Sequence, residues 1–279
     1  MTQIDCLNFC EVLQDFYDKN VPFITTVRDI QKKAGFAKCE RIYIGSSFCG
    51  PYFLHLSEKI MVEVIEACQA EGISVTLVLP VFTEKCLVLG KEKIKGLSAY
   101  FDKGIDEITV NDYGMLNYIS GNYSIKLNMG RLFMKDYRDP RYEEYFHSEL
   151  YPKIFTPYLT ELMKKYRITG MEFDPTHSVI NFKQKPKDIE IGVHSPYCYM
   201  TTGHICEAAS IHKEIDHKFR PTTSCQSECK DIIIHYDLHD GRNWYRVGPT
   251  IYFENPDCRI EGINRYRWIY FPINEEGVR

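Results

Sequence analysis

The sequence lacks the features that direct a chain into or across a membrane. Its 279 residues contain no run of about 18 apolar residues, the length that a bilayer-spanning helix needs. The N-terminal segment 1–20 carries acidic side chains where a secretory signal peptide has basic ones. We therefore expect a cytoplasmic protein with no membrane partner.

The chain also lacks an excess of positive charge. Its formal net charge is -4, its isoelectric point is about 6.2, and it has no basic stripe that could follow a nucleic-acid backbone. We interpret the short basic run at 183–187 as a solvated loop. A small-molecule substrate is therefore favoured over RNA.

Cysteine, in contrast, is abundant. Eleven cysteines in a chain without an export signal are not explained by a secreted disulfide framework, so they either pack in the core or bind metal. A buried cysteine behaves as a small apolar residue. Six cysteines are interpreted as structural, because they have apolar neighbours or no pattern around them: Cys6, Cys10, Cys39, Cys68, Cys86 and Cys258.

Buried strands alternate with helical segments along most of the chain. The uninterrupted series, without a linker, predicts an α/β fold with a parallel, TIM-barrel-like sheet, closed or nearly closed, in one domain over 1–279. An open doubly wound sheet is the alternative. The predicted strands are RIYIG (41–45), ISVTLVLP (73–80), EITV (107–110), SIKLNM (124–129), TGMEF (169–173) and DIEIGV (188–193).

Two helices and a change of pattern complete this prediction. Helices are expected over 57–71, with Ser57 as N-cap and Gly72 as stop, and over 149–167. A cysteine-rich stretch follows the sixth strand. Then come short antiparallel strands at 231–238 and 250–255, separated by a turn at Asp240-Gly241, and an aromatic C-terminal segment that packs back on the body.

Polar residues follow the predicted strands. In barrels of parallel strands the sites lie at the C-terminal strand ends. A turn or capping role explains any single one of these residues equally well. We expect one end of a single barrel to carry Ser47, Asn111, Arg131, Asp174 and His194.

The strongest chemical signal is a group of cysteines in the region 194–230. Cys198, Cys206, Cys225 and Cys229 have the spacing C-x7-C-x18-C-x3-C. Thiolates suit zinc or iron–sulfur clusters, and because zinc sites usually have two tightly spaced pairs, the spacing favours a cluster. The alternative is that two or three of these thiols have no metal-binding role.

The same region resembles a known family. The segments YCYMTTGHICEAAS (197–210) and PTTSCQSECK (221–230) are similar to the cysteine region of the peptidase U32 (collagenase-like protease) family. RIYIGSSFCG (41–50) resembles the first strand of its UbiV-like iron–sulfur branch, in which a cysteine after that strand is a cluster ligand. Collinear similarities extend over 41–255, at DEITVNDYGML, LNMGRLFMKDYRDPR, ITGMEFD and GPTIYFEN.

The resemblance implies a barrel that carries a 4Fe-4S cluster on four cysteines. Cys206, Cys225 and Cys229 match three ligands, and Cys49 matches the remote fourth ligand of the UbiV-like pattern. Cys198 matches the first cysteine of the broader family motif instead. Four ligands must therefore be chosen from five, and we prefer Cys49 because it follows a strand end.

The resemblance also implies an activity, oxygen-independent hydroxylation of a small molecule or of RNA. A U32-type peptidase is a weaker alternative, since the chain has neither a G-x-S-x-G elbow nor an H-E-x-x-H helix. Two further alternatives are a cluster-bearing subunit that works in a hetero-oligomer with a related U32-family protein, and a binding module with structural zinc.

Four further residues are candidates for catalysis. Arg131 can form two parallel hydrogen bonds to a substrate carboxylate, although a salt bridge within the protein is an equal alternative. Asp112, Glu172 and His194 can relay protons, although an acidic residue more commonly caps a loop.

Overall fold

The computed structural model describes residues 1–134, 136, 138–141, 149–174, 176, 178–220, 225–230, 232–238 and 241–273. The strands are β1 (Thr2–Asn8), β2 (Arg41–Gly45), β3 (Ser74–Leu79), β4 (Glu107–Val110), β5 (Lys126–Met129), β6 (Glu149–Leu150), β7 (Ile168–Phe173), β8 (Val179–Asn181), β9 (Glu190–Ser195), β10 (Tyr197–Thr201), β11 (Ile233–Tyr236), β12 (Trp244–Val247), β13 (Thr250–Glu254), β14 (Ile260–Glu261) and β15 (Arg265–Tyr270). The helices are α1 (Leu13–Phe16), α2 (Phe23–Lys33), α3 (Gly50–His55), α4 (Glu58–Ala70), α5 (Glu84–Leu97), α6 (Tyr113–Asn122) and α7 (Pro157–Lys165).

Eight parallel strands form a closed barrel. Their order around it is β1, β2, β3, β4, β5, β7, β9 and β15, and β15 pairs with β1 to close the ring. The predicted TIM-barrel-like α/β fold is therefore confirmed. The alternative of an open sheet is wrong, because a strand near each end of the chain supplies the pairing that closes it.

The barrel interior contains polar side chains as well as a small apolar cluster, whereas its outer surface is apolar. On β4, Ile108 and Val110 belong to the large apolar core beneath the helices, whereas Glu107 and Thr109 alternate with them. Glu107 accepts a hydrogen bond of 3.0 Å from Arg267 on β15, at the far side of the ring. Such a bond crosses the interior, so the alternate residues of the strands point inward.

Helix α4 illustrates how the outer layer forms. The Ser57 hydroxyl accepts a hydrogen bond from the backbone N–H of Ile60, and the helix buries Met61, Val64, Ile65 and Cys68 against the barrel. The helix predicted over 57–71 is confirmed.

The helix predicted over 149–167 is wrong in its first part. The structure has strand β6 at its start and helix α7 only from Pro157. Thr156 caps this helix by accepting a hydrogen bond from the backbone N–H of Leu159. Proline suits the first helical position, where its missing N–H costs nothing, so the helix begins there.

A four-stranded antiparallel sheet, β10-β13-β12-β11, covers the C-terminal end of the barrel, and we call it the cap sheet. It packs through Tyr199 and Tyr252 on Phe48 and Phe271, which follow β2 and β15. Strands β11 and β13 confirm the predicted antiparallel strands, and β12 lies between them. Asp231 of the first predicted strand and Asp240 of the predicted turn lie outside the described residues.

A smaller sheet, β14-β8-β6, packs against the outside of the barrel. Ile180 and Ile260, from β8 and β14, join the main apolar core. Within the described part of the chain, no helix is both long and apolar enough to cross a membrane.

Candidate functional site

The pocket of greatest chemical interest lies beside the C-terminal end of β2. It has a volume of about 550 Å³ and is bounded by α3, the start of α5 and parts of the segment between β10 and β11. Five cysteines line it: Cys49, Cys86, Cys206, Cys225 and Cys229. Residues far apart in sequence thus meet in one pocket, and they include all four preferred ligands.

Cys49 is held at the start of α3. Its backbone N–H donates to the Ser46 hydroxyl at 2.8 Å, and its sulfur accepts a hydrogen bond of 3.4 Å from the backbone N–H of Tyr52. Burial raises the pKa of the Cys49 thiol, and the nearby Cys229 and Cys225 raise it further. A cation in the pocket would reverse this effect by stabilising the thiolates.

The other three thiols come from the long connection between β10 and β11. The Ser210 hydroxyl donates to the carbonyl of Cys206 at 2.9 Å, and the N–H of Ser227 donates to the sulfur of Cys225 at 3.3 Å. Burial raises the pKa of Cys229 to about 12, with Cys206 and Cys225 adding to the shift. Cys229 therefore lies within electrostatic range of Cys49, Cys206 and Cys225.

Cys198 lies elsewhere. It is on β10, fully buried, in an apolar cluster with Trp244 and Phe253 of the cap sheet. Its sulfur contacts the carbonyl of Tyr199 at 3.6 Å. The sequence spacing groups Cys198 with Cys206, Cys225 and Cys229 as a possible metal ligand. In the structure its side chain packs within the cap sheet and does not line the cysteine pocket.

The thiols do not converge on one point. Among the described residues, no group of three or more His, Cys, Asp or Glu side chains is arranged to hold a metal ion. A tetrahedral zinc site with Zn–S bonds of about 2.3 Å needs its sulfurs about 3.8 Å apart. A four-iron cluster needs a wider arrangement, because each thiolate binds a different corner.

Arg131 lies beneath the cap sheet and is 1% exposed. Its Nε donates to Asp174 Oδ1 at 2.9 Å, and its Nη2 donates to the carbonyl of Tyr197 at 3.1 Å. Burial alone would raise the pKa of Asp174, but the Arg131 guanidinium holds it below its usual range. The carboxylate that Arg131 binds here is therefore one within the protein.

Glu172 and His194 form a pair inside the barrel. Glu172 Oε2 lies 2.9 Å from His194 Nε2, and Glu172 Oε1 accepts a hydrogen bond of 2.6 Å from the Thr109 hydroxyl. Burial raises the pKa of Glu172 to about 7, and it lowers that of His194 well below its usual value. His194 Nδ1 is buried and has no hydrogen-bond partner in the described part of the chain. The pair can therefore hold or transfer a proton near neutral pH.

Asp112 caps helix α6. Its carboxylate accepts a hydrogen bond of 2.8 Å from the backbone N–H of Met115. Asp112 and Asn111 also line a second pocket of about 270 Å³ beside the C-terminal ends of β4 and β5. Asp112 is therefore separate from the pair formed by Glu172 and His194.

The five residues expected at one end of the barrel do lie there. Ser47, Asn111, Arg131 and Asp174 follow β2, β4, β5 and β7, and His194 is near the end of β9. All five are buried, so the cap sheet and neighbouring loops cover them.

Sequence reasoning missed Glu11 and the position of Cys86. Glu11 is a buried acidic residue that bonds the loop leading to Cys49. The available signal was an acidic residue within the apolar segment FCEVL. This signal indicates a buried functional carboxylate only if β1 is recognised as a barrel strand. Cys86 was interpreted as a core residue, but it lines the cysteine pocket.

Comparisons with protein-family models, with curated proteins and with solved structures find no match to this chain.

Proposed function

We propose that this chain is an iron–sulfur protein that binds a 4Fe-4S cluster through Cys49, Cys206, Cys225 and Cys229. The observation that carries the proposal is their position in one pocket, although Cys49 is more than 150 residues from the others in sequence. A pocket lined by several thiols suits a soft metal centre.

The arrangement of the thiols supports a cluster over zinc. Zinc sites usually have two tightly spaced pairs of ligands, and here only Cys225 and Cys229 are closely spaced in sequence. The pocket of about 550 Å³ has room for a larger group. Burial also raises the pKa of Cys49 and Cys229, which argues against a nucleophilic cysteine of a peptidase, since that needs a lowered pKa.

When bound, such a cluster supplies electron transfer, or Lewis acidity if one iron is open. The protein's part is to orient the ligands and to limit water. Phe48, Leu54 and Pro249 form apolar walls of the pocket. A protein tunes the reduction potential of a cluster through the polarity of its surroundings and through hydrogen bonds to the sulfurs. The backbone N–H of Tyr52 donates such a bond to Cys49.

We further propose that the chain belongs to the peptidase U32 family, in its UbiV-like branch, and takes part in oxygen-independent hydroxylation. The collinear motifs support this, as does the place of Cys49 after a barrel strand. A small molecule is the favoured substrate, since the chain is acidic overall. Glu172 and His194 are the proposed proton-handling residues, and Arg131 positions Asp174 and the cap sheet.

Anaerobic purification tests the cluster proposal. The protein should be brown, with about four iron and four sulfide per chain, and reduction should give the paramagnetic resonance signal of a 4Fe-4S cluster. A colourless protein that contains stoichiometric zinc would overturn the proposal. Activity that requires a co-purifying related chain would identify it as one subunit of a hetero-oligomer.

A further inference from the structure

Glu11 is an acidic residue in a buried position, where a charged side chain loses its hydration. It is 6% exposed and lies three residues after the end of β1. Its backbone has a φ of 66°, in the left-handed region that non-glycine residues seldom adopt. Such strained backbone is concentrated at functional sites, where surrounding contacts hold it in place.

The described hydrogen bonds of the Glu11 carboxylate are with the loop that leads to Cys49. Glu11 Oε1 accepts hydrogen bonds from the Ser46 hydroxyl at 2.7 Å and from the backbone N–H of Phe48 at 2.9 Å. It also accepts from the backbone N–H of Ser47. Burial raises the pKa of Glu11, whereas these three hydrogen bonds and the nearby Arg131 charge favour its ionised form. Hydrogen bonds to an ionised acceptor are about twice as strong as those between neutral groups, so the ionised carboxylate holds the loop firmly.

The connection reaches the thiol in one further step. The Ser46 hydroxyl that donates to Glu11 also accepts the backbone N–H of Cys49 at 2.8 Å. Cys49 then begins α3, with its sulfur facing the pocket. The position of this thiol therefore depends on the carboxylate of Glu11 through a chain of two hydrogen bonds.

We propose that Glu11 is the positioning residue of the cluster site: it holds Cys49 in place to bind iron and adds a negative charge beside the bound cluster. The inference rests on the proposed function. Because Cys49 is remote in sequence from the other three thiols, it needs a separate anchor, and the contacts of Glu11 provide one. A negative charge nearby disfavours the reduced cluster and lowers its reduction potential.

Two variants separate these effects. Glu11→Gln keeps an oxygen that can accept the same hydrogen bonds but removes the charge, whereas Glu11→Ala removes both. Glu84→Gln is the matched control, because Glu84 lines the same pocket but is exposed, where solvent screens its charge. The readouts are iron per chain after anaerobic reconstitution and the midpoint potential from a redox titration.

Glu11→Gln should keep the wild-type iron content and raise the midpoint potential, by more than Glu84→Gln does. Glu11→Ala should lose most of its iron. Full iron in Glu11→Ala, or a wild-type potential in Glu11→Gln, would overturn the inference, since a merely structural carboxylate leaves the potential unchanged in the Gln variant.

A measurement on the metal-free chain separates this inference from the proposed function. Amide hydrogen exchange over 46–49 should be at least about tenfold faster in Glu11→Ala than in wild type. Glu11→Gln should lie between the two, because its neutral oxygen accepts the same hydrogen bonds more weakly. If the wild-type chain takes up no iron, the cluster proposal fails, and exchange still reports whether Glu11 positions the loop. Equal exchange in all three chains would contradict that positioning.

Discussion

Arg131 and Asp174 form a buried ion pair that fastens the cap sheet to the barrel. Their side chains are 1% and 4% exposed, and they join the end of β5 to the end of β7. The pair extends to β10, since Arg131 donates to the carbonyl of Tyr197 and Asp174 accepts from the backbone N–H of Tyr199. Loss of Asp174 leaves Arg131 buried without a counter-charge, whereas loss of Arg131 leaves Asp174 with the longer contact to Arg138, at 3.5 Å.

Breaking this pair should destabilise the protein strongly. Asp174→Asn should lower the free energy of unfolding by about 3–5 kcal/mol, because it leaves Arg131 buried without a counter-charge. Arg131→Met should cost less, because Asp174 still pairs with Arg138. The double variant should lose less than the sum of the two. Denaturant unfolding measures the free energy of unfolding of the metal-free wild type, the two single variants and the double variant. Additive losses would show that the two side chains do not depend on each other.

Glu172 should be protonated below pH about 7, because burial raises its pKa to that value. A carboxyl group whose pKa is raised holds its proton at lower pH and releases it as the pH rises through that value. Infrared difference spectra should show a protonated carboxyl band that disappears with a midpoint near pH 7. The band should be missing in Glu172→Gln. A carboxyl band that titrates near the usual pKa of glutamate would contradict the pairing.

Gly45 should not tolerate a side chain. Its φ is 114°, and a Cβ atom there would overlap the carbonyl oxygen of Val78. Gly45→Ala should therefore lower the free energy of unfolding by at least about 1–3 kcal/mol and reduce iron uptake, because Gly45 precedes the loop that carries Cys49.

Gly121→Ala is the control for this variant. Gly121 lies in α6, has no φ in the left-handed region, and has open space where a Cβ would be. This change should raise the free energy of unfolding by up to about 1 kcal/mol through helix propensity. Thermal unfolding of both variants measures the two changes in stability. Equal changes in Gly45→Ala and Gly121→Ala would contradict the steric argument.

Most of the barrel could be predicted from the sequence. Strands β2 and β4 have the predicted bounds, because both are short buried runs with clear ends. Strands β1 and β15 were not predicted. They carry polar and charged residues that face the barrel interior, such as Arg267, and a continuous apolar run is therefore missing. The buried charge of Arg267 is neutralised by Glu107, and the two residues meet only when the barrel is closed.

The cysteine pocket was predictable in part. Spacing singled out Cys206, Cys225 and Cys229, and only the resemblance indicated Cys49. Spacing does not reveal which side of a strand a residue faces, so it could not separate Cys198 from the rest. Glu11 could not be predicted, because its role depends on hydrogen bonds to a loop more than 30 residues away.

The central claim is tested most directly by iron per chain in single alanine variants purified without oxygen. Changes at Cys49, Cys206, Cys225 and Cys229 should each abolish or strongly reduce iron binding, because each removes a thiolate from the cluster. Cys86→Ala, in the same pocket, and Cys198→Ala, within the cap sheet, should keep the wild-type iron content. If Cys198→Ala loses iron while Cys49→Ala keeps it, the assignment of the ligands is wrong.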